Sequence, residues 1–148
     1  MATATMNVQQ VLNRQVANLT VLYTKLHHYH WYVTGDQFFT LHEKFEQLYD
    51  EAAEYLDAAA ERLLMLQGRP VSTLAECLKE TSLREASGNE NPSQMVREAA
   101  NDFRTMVGEL KQGMEMAAQA GDEGTHDLLL EMANSWEKHI WMLESFLK

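Results

Sequence analysis

The chain has 148 residues, 45% of them hydrophobic, which is enough for one domain with a single core and too apolar for a disordered chain. Its 22 acidic residues outnumber the 12 basic ones, and a formal net charge of -10 disfavours nucleic-acid binding. No apolar run is long enough to span a bilayer, and a single cysteine excludes an internal disulfide. Residues 1–10 have neither a basic start nor an apolar stretch, so we expect no signal peptide. We therefore expect a cytoplasmic protein with one domain over residues 1–148, in which residues 1–6 form a flexible tail.

Two long helices are predicted in the first half of the chain. Apolar residues at three- and four-residue steps predict the first from about Val8 to Val33. The Gly35-Asp36 pair interrupts that pattern. The second helix is predicted from about Thr40 to Gln67, and Gly68 is expected to end it.

Two further long helices are predicted after a polar, glycine-containing loop. Asn91-Pro92 is typical of an N-cap followed by proline in the first helical position, and this third long helix continues to about Ala120. Gly121 ends it. The last helix is predicted to start between Asp122 and Thr125 and to end near Leu147.

The lengths of the connections indicate how these helices are joined. The first and last connections are tight, whereas the middle one is long. A capping pair at Thr73 and Glu76 predicts a short helix within it, through Lys79. One long crossover between two helical hairpins is the ferritin-like arrangement. The predicted fold is all-α: a ferritin-like four-helix bundle with a short extra helix in the middle crossover.

Five potential metal ligands lie on the first two helices. They are His30, His42, Glu46, Asp57 and Glu61. His42 and Glu46 are four residues apart and so share a helix face, and Asp57 and Glu61 repeat that spacing. Eleven positions separate the two pairs, which leaves ~20° of rotation and a distance of roughly 16 Å. The four side chains therefore share one stripe but cannot form one site within one chain.

A two-fold partner would bring the two pairs together. If two copies of the second helix pack antiparallel about a point near Glu51-Ala52, His42 and Glu46 of one chain face Asp57 and Glu61 of the other. Across the first hairpin, His30 is expected at the height of His42. Two histidines with three carboxylates suit iron better than calcium or magnesium.

Two other interpretations of these residues remain open from spacing alone. Paired acids on a helix most often form a solvated face. A di-iron centre within one chain needs a Glu-x-x-His motif on each of two helices. Only Glu123-x-x-His126 has that spacing, so we disfavour a centre within one chain.

The segment HWYVTGDQFFTLHEKFEQLYDEAAEYLDAAAERLLMLQGRP, residues 30–70, resembles the Dps family of mini-ferritins. The matching residues are His30-Trp31, Gly35, Phe38 or Phe39, Leu41-His42, Glu46, Asp57 and Glu61-Arg62. The similarity extends to KHIWMLESFL near the end of the chain. This family often has aspartate where this chain has Glu46, so Glu46 is expected to bind metal directly or through water.

The resemblance implies a homododecameric shell with a ferroxidase centre at each two-fold interface. It implies oxidation of Fe(II), preferably by hydrogen peroxide rather than O2, storage of ferric mineral inside, and protection from oxidative damage. Trp31 is similar to the family tryptophan that intercepts radicals near the centre, and core packing is the alternative for this side chain.

The resemblance also assigns roles to acids at the start of the last helix. Asp122, Asp127 and Glu131 resemble acids that line the family's three-fold iron-entry pores, although helix capping is an equally good explanation for Asp122. The remaining histidines are expected to be structural or on the surface. They are His27, His28, His126 and His139.

Two functions other than iron storage are possible for such a chain, and the sequence disfavours both. Many Dps relatives compact DNA through a lysine-rich tail, but residues 1–13 contain no Lys or Arg, so we expect no DNA binding. A purely structural bundle that has lost its metal centre is disfavoured by the complete set of five candidate ligands.

Overall fold

A computed structural model describes residues 6–148 and contains, over that range, five α-helices and no strand. The helices are α1 (Val8–Tyr32), α2 (Phe38–Met65), α3 (Leu74–Glu80), α4 (Pro92–Gln119) and α5 (Glu123–Leu147). The predicted boundaries are confirmed to within two residues. Residues 1–5 of the predicted tail lie outside the described residues.

The helices form a bundle with one long crossover, as predicted. α1 packs against α2 and α4 against α5, each pair being joined by a tight turn. On α1, Gln15 contacts Glu109 and Lys25 contacts Asp102, so α1 and α4 run in opposite directions. The connection between α2 and α4 therefore crosses the length of the bundle, and α3 packs on α1 within it.

The core lies where the inward faces of the four long helices meet. Its largest fully buried side chains are aromatic residues and leucines, with Trp136, Tyr29, Phe45 and Phe103 foremost. No helix within residues 6–148 combines the length and the apolar character that a membrane span requires. One face of α2 is buried in this core, and the opposite face is exposed.

Side chains set the helix ends in the way the sequence indicates. Thr73 and Glu76 form the predicted capping box of α3. Asn91 caps α4 and Pro92 occupies its first position. The end of α2 differs in detail, because the left-handed residue there is Gln67, with φ of 66°, and not Gly68.

Candidate metal centre

His30 and His42 face each other across the α1–α2 hairpin, as the sequence predicts. Their imidazole rings stack with centroids 3.7 Å apart and planes inclined by 12°. His30 Nδ1 lies 2.6 Å from the carbonyl oxygen of His42, and His42 Nδ1 lies 2.7 Å from the carbonyl oxygen of His30. Because a carbonyl can only accept a hydrogen bond, each Nδ1 must donate its proton. In the neutral imidazoles both Nε2 atoms are then free to bind a metal.

Two aromatic side chains bracket the imidazole pair. Phe38 stacks on His42 with ring centroids 4.9 Å apart, and the rings of Tyr49 and His30 are nearly perpendicular with centroids 5.3 Å apart. These contacts, with the reciprocal hydrogen bonds, fix the orientation of both rings before any ion arrives. Tyr49 is not among the residues predicted from the sequence, although its position seven residues after His42 places it on the same face of α2.

Glu46 is the carboxylate nearest to the imidazoles. Its Oε1 lies 3.7 Å from His30 Nε2, which is longer than a hydrogen bond. An ion about 2.1 Å from each atom fits between them. The Glu46 side chain is 54% exposed, whereas that of His30 is 8% exposed. The single chain thus supplies two buried or half-buried nitrogen ligands and one exposed oxygen ligand.

The other two predicted ligands are not brought to this cluster within one chain. Asp57 and Glu61 are exposed on the outward face of α2, further along the helix. Within residues 6–148, no three His, Cys, Asp or Glu side chains gather closely enough to hold a metal ion. This statement includes the alternative intrachain centre at Glu123 and His126. The shared site therefore stays a prediction that requires a second copy of α2.

The two residues at the expected crossing point of two α2 helices face the bundle of their own chain. Glu51 turns toward α5, where its Oε2 accepts a hydrogen bond from His139 Nε2 at 2.6 Å, and Ala52 is fully buried. Both residues therefore lie on inward sides of the helix, and the crossing point itself stays a prediction because it requires a second copy of α2. Tyr49 and Ala53, which share a helix face with the candidate ligands at this level, are half-buried.

Trp31 does not pack in the core of its own chain. It is 67% exposed and lies beside His27, with ring centroids 5.2 Å apart. Tyr32 and Phe39, near the same hairpin, are also largely exposed. Exposed aromatic groups of this size next to a candidate site are typical of a surface that another chain covers.

The three candidate pore acids lie in different environments. Asp122 is the N-cap of α5 and accepts hydrogen bonds from Thr125 N and Arg62 Nη2. Burial opposes ionisation of Asp122, but hydrogen bonds from Thr125 and Arg62 hold its pKa below the usual range. Asp127 and Glu131 are exposed and lie four residues apart on α5. The capping interpretation therefore accounts for Asp122, and the pore assignment depends on the other two acids.

Comparison with known proteins matches this geometry to one family. The family model described as a ferritin-like domain matches residues 9–148. General stress protein 20U of Bacillus subtilis (strain 168) is 54% identical over 93% of this chain and 95% of its own length. The DNA protection during starvation protein of Brevibacillus brevis is 52% identical over 95% of each chain. The crystal structure of Dps from Staphylococcus aureus superposes with a TM-score of 0.94 at 48% identity, covering 95% of both chains.

Proposed function

The chain belongs to the ferritin-like Dps family, and we propose that it oxidises Fe(II) and stores the ferric product inside a homododecameric shell. Hydrogen peroxide is the preferred oxidant in this proposal, and O2 is the slower one. The observation that carries it is the stacked imidazole pair of His30 and His42, whose Nδ1 atoms are tied to the backbone and whose Nε2 atoms are free. The proposed place of action is the cytoplasm, where a single reduced cysteine, Cys77, is stable.

The ligand types fit Fe(II) as a substrate. Imidazole nitrogens bind Fe(II) well, and carboxylates favour the Fe(III) that forms from it. Two Fe(II) ions each give one electron to one hydrogen peroxide molecule. Its O–O bond breaks, and with two protons it leaves as two water molecules. No hydroxyl radical is released in this balance, which is how such a protein protects a cell from oxidative damage.

The centre is proposed to be shared between two subunits. His30, His42 and Glu46 come from one chain, and Asp57 and Glu61 come from the two-fold partner. All three carboxylates lie on the exposed face of α2, which supports this proposal. Within residues 6–148, Glu46 approaches His30 Nε2 at 3.7 Å, and Asp57 and Glu61 have no hydrogen-bond or ion-pair partner. An antiparallel pair of α2 helices then forms two equivalent centres.

Trp31 is proposed to intercept radicals that escape from one-electron side reactions. Its exposed indole lies on the residue after His30, and the neighbouring His27 stacks on Tyr49 at 3.6 Å. A series of aromatic contacts therefore connects Trp31 through His27 and Tyr49 to His30.

DNA binding is the second candidate function, and the names of relatives such as the Brevibacillus brevis protein favour it. The charges of this chain do not. Several of its 12 basic residues are already held in ion pairs, and these are Arg14, Lys25, Arg62, Arg104 and Lys111. We propose that the protein does not retard plasmid DNA at neutral pH and physiological salt, and a retarded complex in a gel-shift assay would show a basic surface.

The ferroxidase proposal is tested by replacing both histidines. We expect His30→Gly with His42→Gly to slow the initial oxidation of Fe(II) by peroxide by about a hundredfold, since both nitrogen donors are lost. His28→Gly, on the same helix but outside the cluster, is the matched control. Stopped-flow absorbance on intact shells measures the rate, and an unchanged rate in the double variant would exclude this centre.

A further inference from the structure

Arg62, which is not one of the proposed metal ligands, joins α2 to α5 through hydrogen bonds. Its Nη2 donates to Asp122 Oδ1 at 2.7 Å, and its Nε donates to Thr125 Oγ1 at 2.9 Å. The side chain of Arg62 is 26% exposed. Two directed hydrogen bonds from one planar group fix both its position and its orientation.

A glycine of α5 leaves the space that the guanidinium occupies. A Cβ atom added to Gly124 would lie 2.7 Å from Arg62 Nη2 and 3.0 Å from Arg62 Cζ. Real Cβ atoms do not approach so closely, so the guanidinium lies directly against the backbone of Gly124. Any side chain at this position would displace it.

The partners of Arg62 are themselves held firmly. Asp122 accepts hydrogen bonds from the backbone nitrogen of Thr125 at 3.1 Å and from its hydroxyl at 2.6 Å. The preceding turn is closed by Gly121, with φ of 72°, and by a hydrogen bond from Asp122 N to Ala117 O at 2.8 Å. Arg62 thus attaches the end of α2 to a rigid turn.

The neighbours of Arg62 on α2 are the two carboxylates assigned to the partner's half of the centre. Asp57 and Glu61 are exposed and have no hydrogen-bond or ion-pair partner among residues 6–148. Their positions therefore depend on where the last turns of α2 lie. Besides Arg62, the hydrogen bond from Gln9 Nε2 to Leu66 O at 2.8 Å holds this end of the helix.

We propose that Arg62 is a positioning residue for the intersubunit centre: by its contacts with Asp122, Thr125 and Gly124 it sets where Asp57 and Glu61 are presented to a second subunit. The inference rests on the proposed function, because it needs a metal centre completed by these carboxylates. A displacement of about 1 Å at a metal ligand is enough to weaken binding, since coordination distances tolerate only ~0.2 Å.

Three variants test this role. Arg62→Gln removes the charge and the planar fork, and Arg62→Lys keeps the charge alone. Gly124→Ala leaves Arg62 in place but displaces its guanidinium, and alanine is a better helix former than glycine, so α5 itself is not weakened. Arg69→Gln, an exposed arginine shortly after α2, is the matched control.

The measurement is binding of Co(II), which does not undergo the oxidation step, followed by its visible absorption on shells shown to be intact by light scattering. We expect the Co(II) dissociation constant to rise about tenfold in Arg62→Gln and Gly124→Ala, less in Arg62→Lys, and not in Arg69→Gln. The spectrum of bound Co(II) should also change, because carboxylate ligands are lost while the imidazoles remain.

Two failures of this experiment are distinguishable. If wild-type shells bind no Co(II), the proposed centre is wrong and the role of Arg62 falls with it. If wild-type shells bind Co(II) and the affinity and spectrum are unchanged in Gly124→Ala and both Arg62 variants, only the positioning role is overturned. A lower melting temperature with unchanged Co(II) binding would also overturn it, since Arg62 would then be merely structural.

Discussion

At the scale of single residues, the proton positions on the two candidate ligands follow from backbone geometry. The sequence predicts that His30 and His42 lie level across the hairpin, and the structure confirms it. It does not predict that each ring would donate to the other residue's carbonyl, because that depends on how closely α1 and α2 approach. These two hydrogen bonds leave Nε2 as the nitrogen of each ring that is available to a metal.

Asp102 is the residue whose burial has the clearest consequence for pH dependence. It is on the inner face of α4, and its Oδ2 lies 2.8 Å from Lys25 Nζ, which also pairs with Glu98. Burial raises the pKa of Asp102 to about 6, Lys25 opposes this rise, and Glu98 adds to it. Because Asp102 binds a proton more readily in the folded protein than in the unfolded chain, the free energy of unfolding increases as the pH falls through about 6.

We therefore expect Asp102→Asn to remove this pH dependence. As the pH falls from 7 to 5, the melting temperature of the wild-type protein should rise relative to that of the variant. Calorimetry of both proteins at closely spaced pH values measures the difference. Glu98→Gln, which changes the more exposed acid beside Lys25, is the control, and a constant difference between wild type and Asp102→Asn would contradict the expectation.

At the scale of helices, two adjacent residues at the end of α2 meet different structural needs: Gln67 has the left-handed backbone conformation, and Gly68 has no space for a side chain. Gln67 N donates to Leu64 O at 3.0 Å and Gly68 N donates to Leu63 O at 2.9 Å, which is the Schellman arrangement. The left-handed position belongs to Gln67. Gly68 is needed for a different reason, because a Cβ there would lie 2.9 Å from Leu63 Cγ and 3.0 Å from Gln9 Oε1.

These two positions should respond oppositely to substitution. Gln67→Gly should raise the melting temperature slightly, because relief of the left-handed strain, about 1–2 kcal/mol, exceeds the added chain entropy of about 0.5–1 kcal/mol. Gly68→Ala should destabilise by about 1–3 kcal/mol through overpacking. Thermal unfolding of both variants checks this, and stabilisation by Gly68→Ala would show that Leu63 and Gln9 yield freely.

The sequence predicts features that depend on neighbouring residues better than features that depend on contacts between helices. Apolar periodicity, glycines, prolines and capping pairs predict all five helices to within two residues. Helical spacing and the hairpin between the first two helices select the five candidate ligands. Contacts between helices are not visible in one sequence. Only the structure therefore shows three such contacts. Phe38 stacks on His42, Glu51 accepts a hydrogen bond from His139, and the guanidinium of Arg62 lies against Gly124.

At the scale of the whole molecule, the acidic surface bears on how iron enters a shell. A charge of -10 per chain is screened over ~8 Å at physiological ionic strength, so diffuse charge steers Fe(II) weakly. Acids concentrated at a narrow opening act more strongly, because low-dielectric walls focus the field. Asp127 and Glu131 are the exposed candidates for pore acids, because Asp122 already accepts hydrogen bonds from Thr125 and Arg62.

We expect Asp127→Asn with Glu131→Gln to slow iron uptake and to reduce its dependence on salt, while the ferroxidase ligands stay intact. Glu115→Gln with Asp36→Asn removes the same charge elsewhere and is the control. Stopped-flow uptake at low and high salt distinguishes the two. Equal uptake by both double variants would mean that Asp127 and Glu131 only solvate α5.

The most direct test of the account asks whether two inactive subunits complete one centre. One variant lacks His30 and His42 (both to Gly), and the other lacks Asp57 and Glu61 (to Asn and Gln). After dissociation and joint reassembly, half of randomly paired interfaces are mixed, and each mixed interface regains one of its two centres. The account predicts about a quarter of the wild-type rate of Fe(II) oxidation by peroxide. Intact hybrid shells with no recovered activity would contradict a centre shared between subunits.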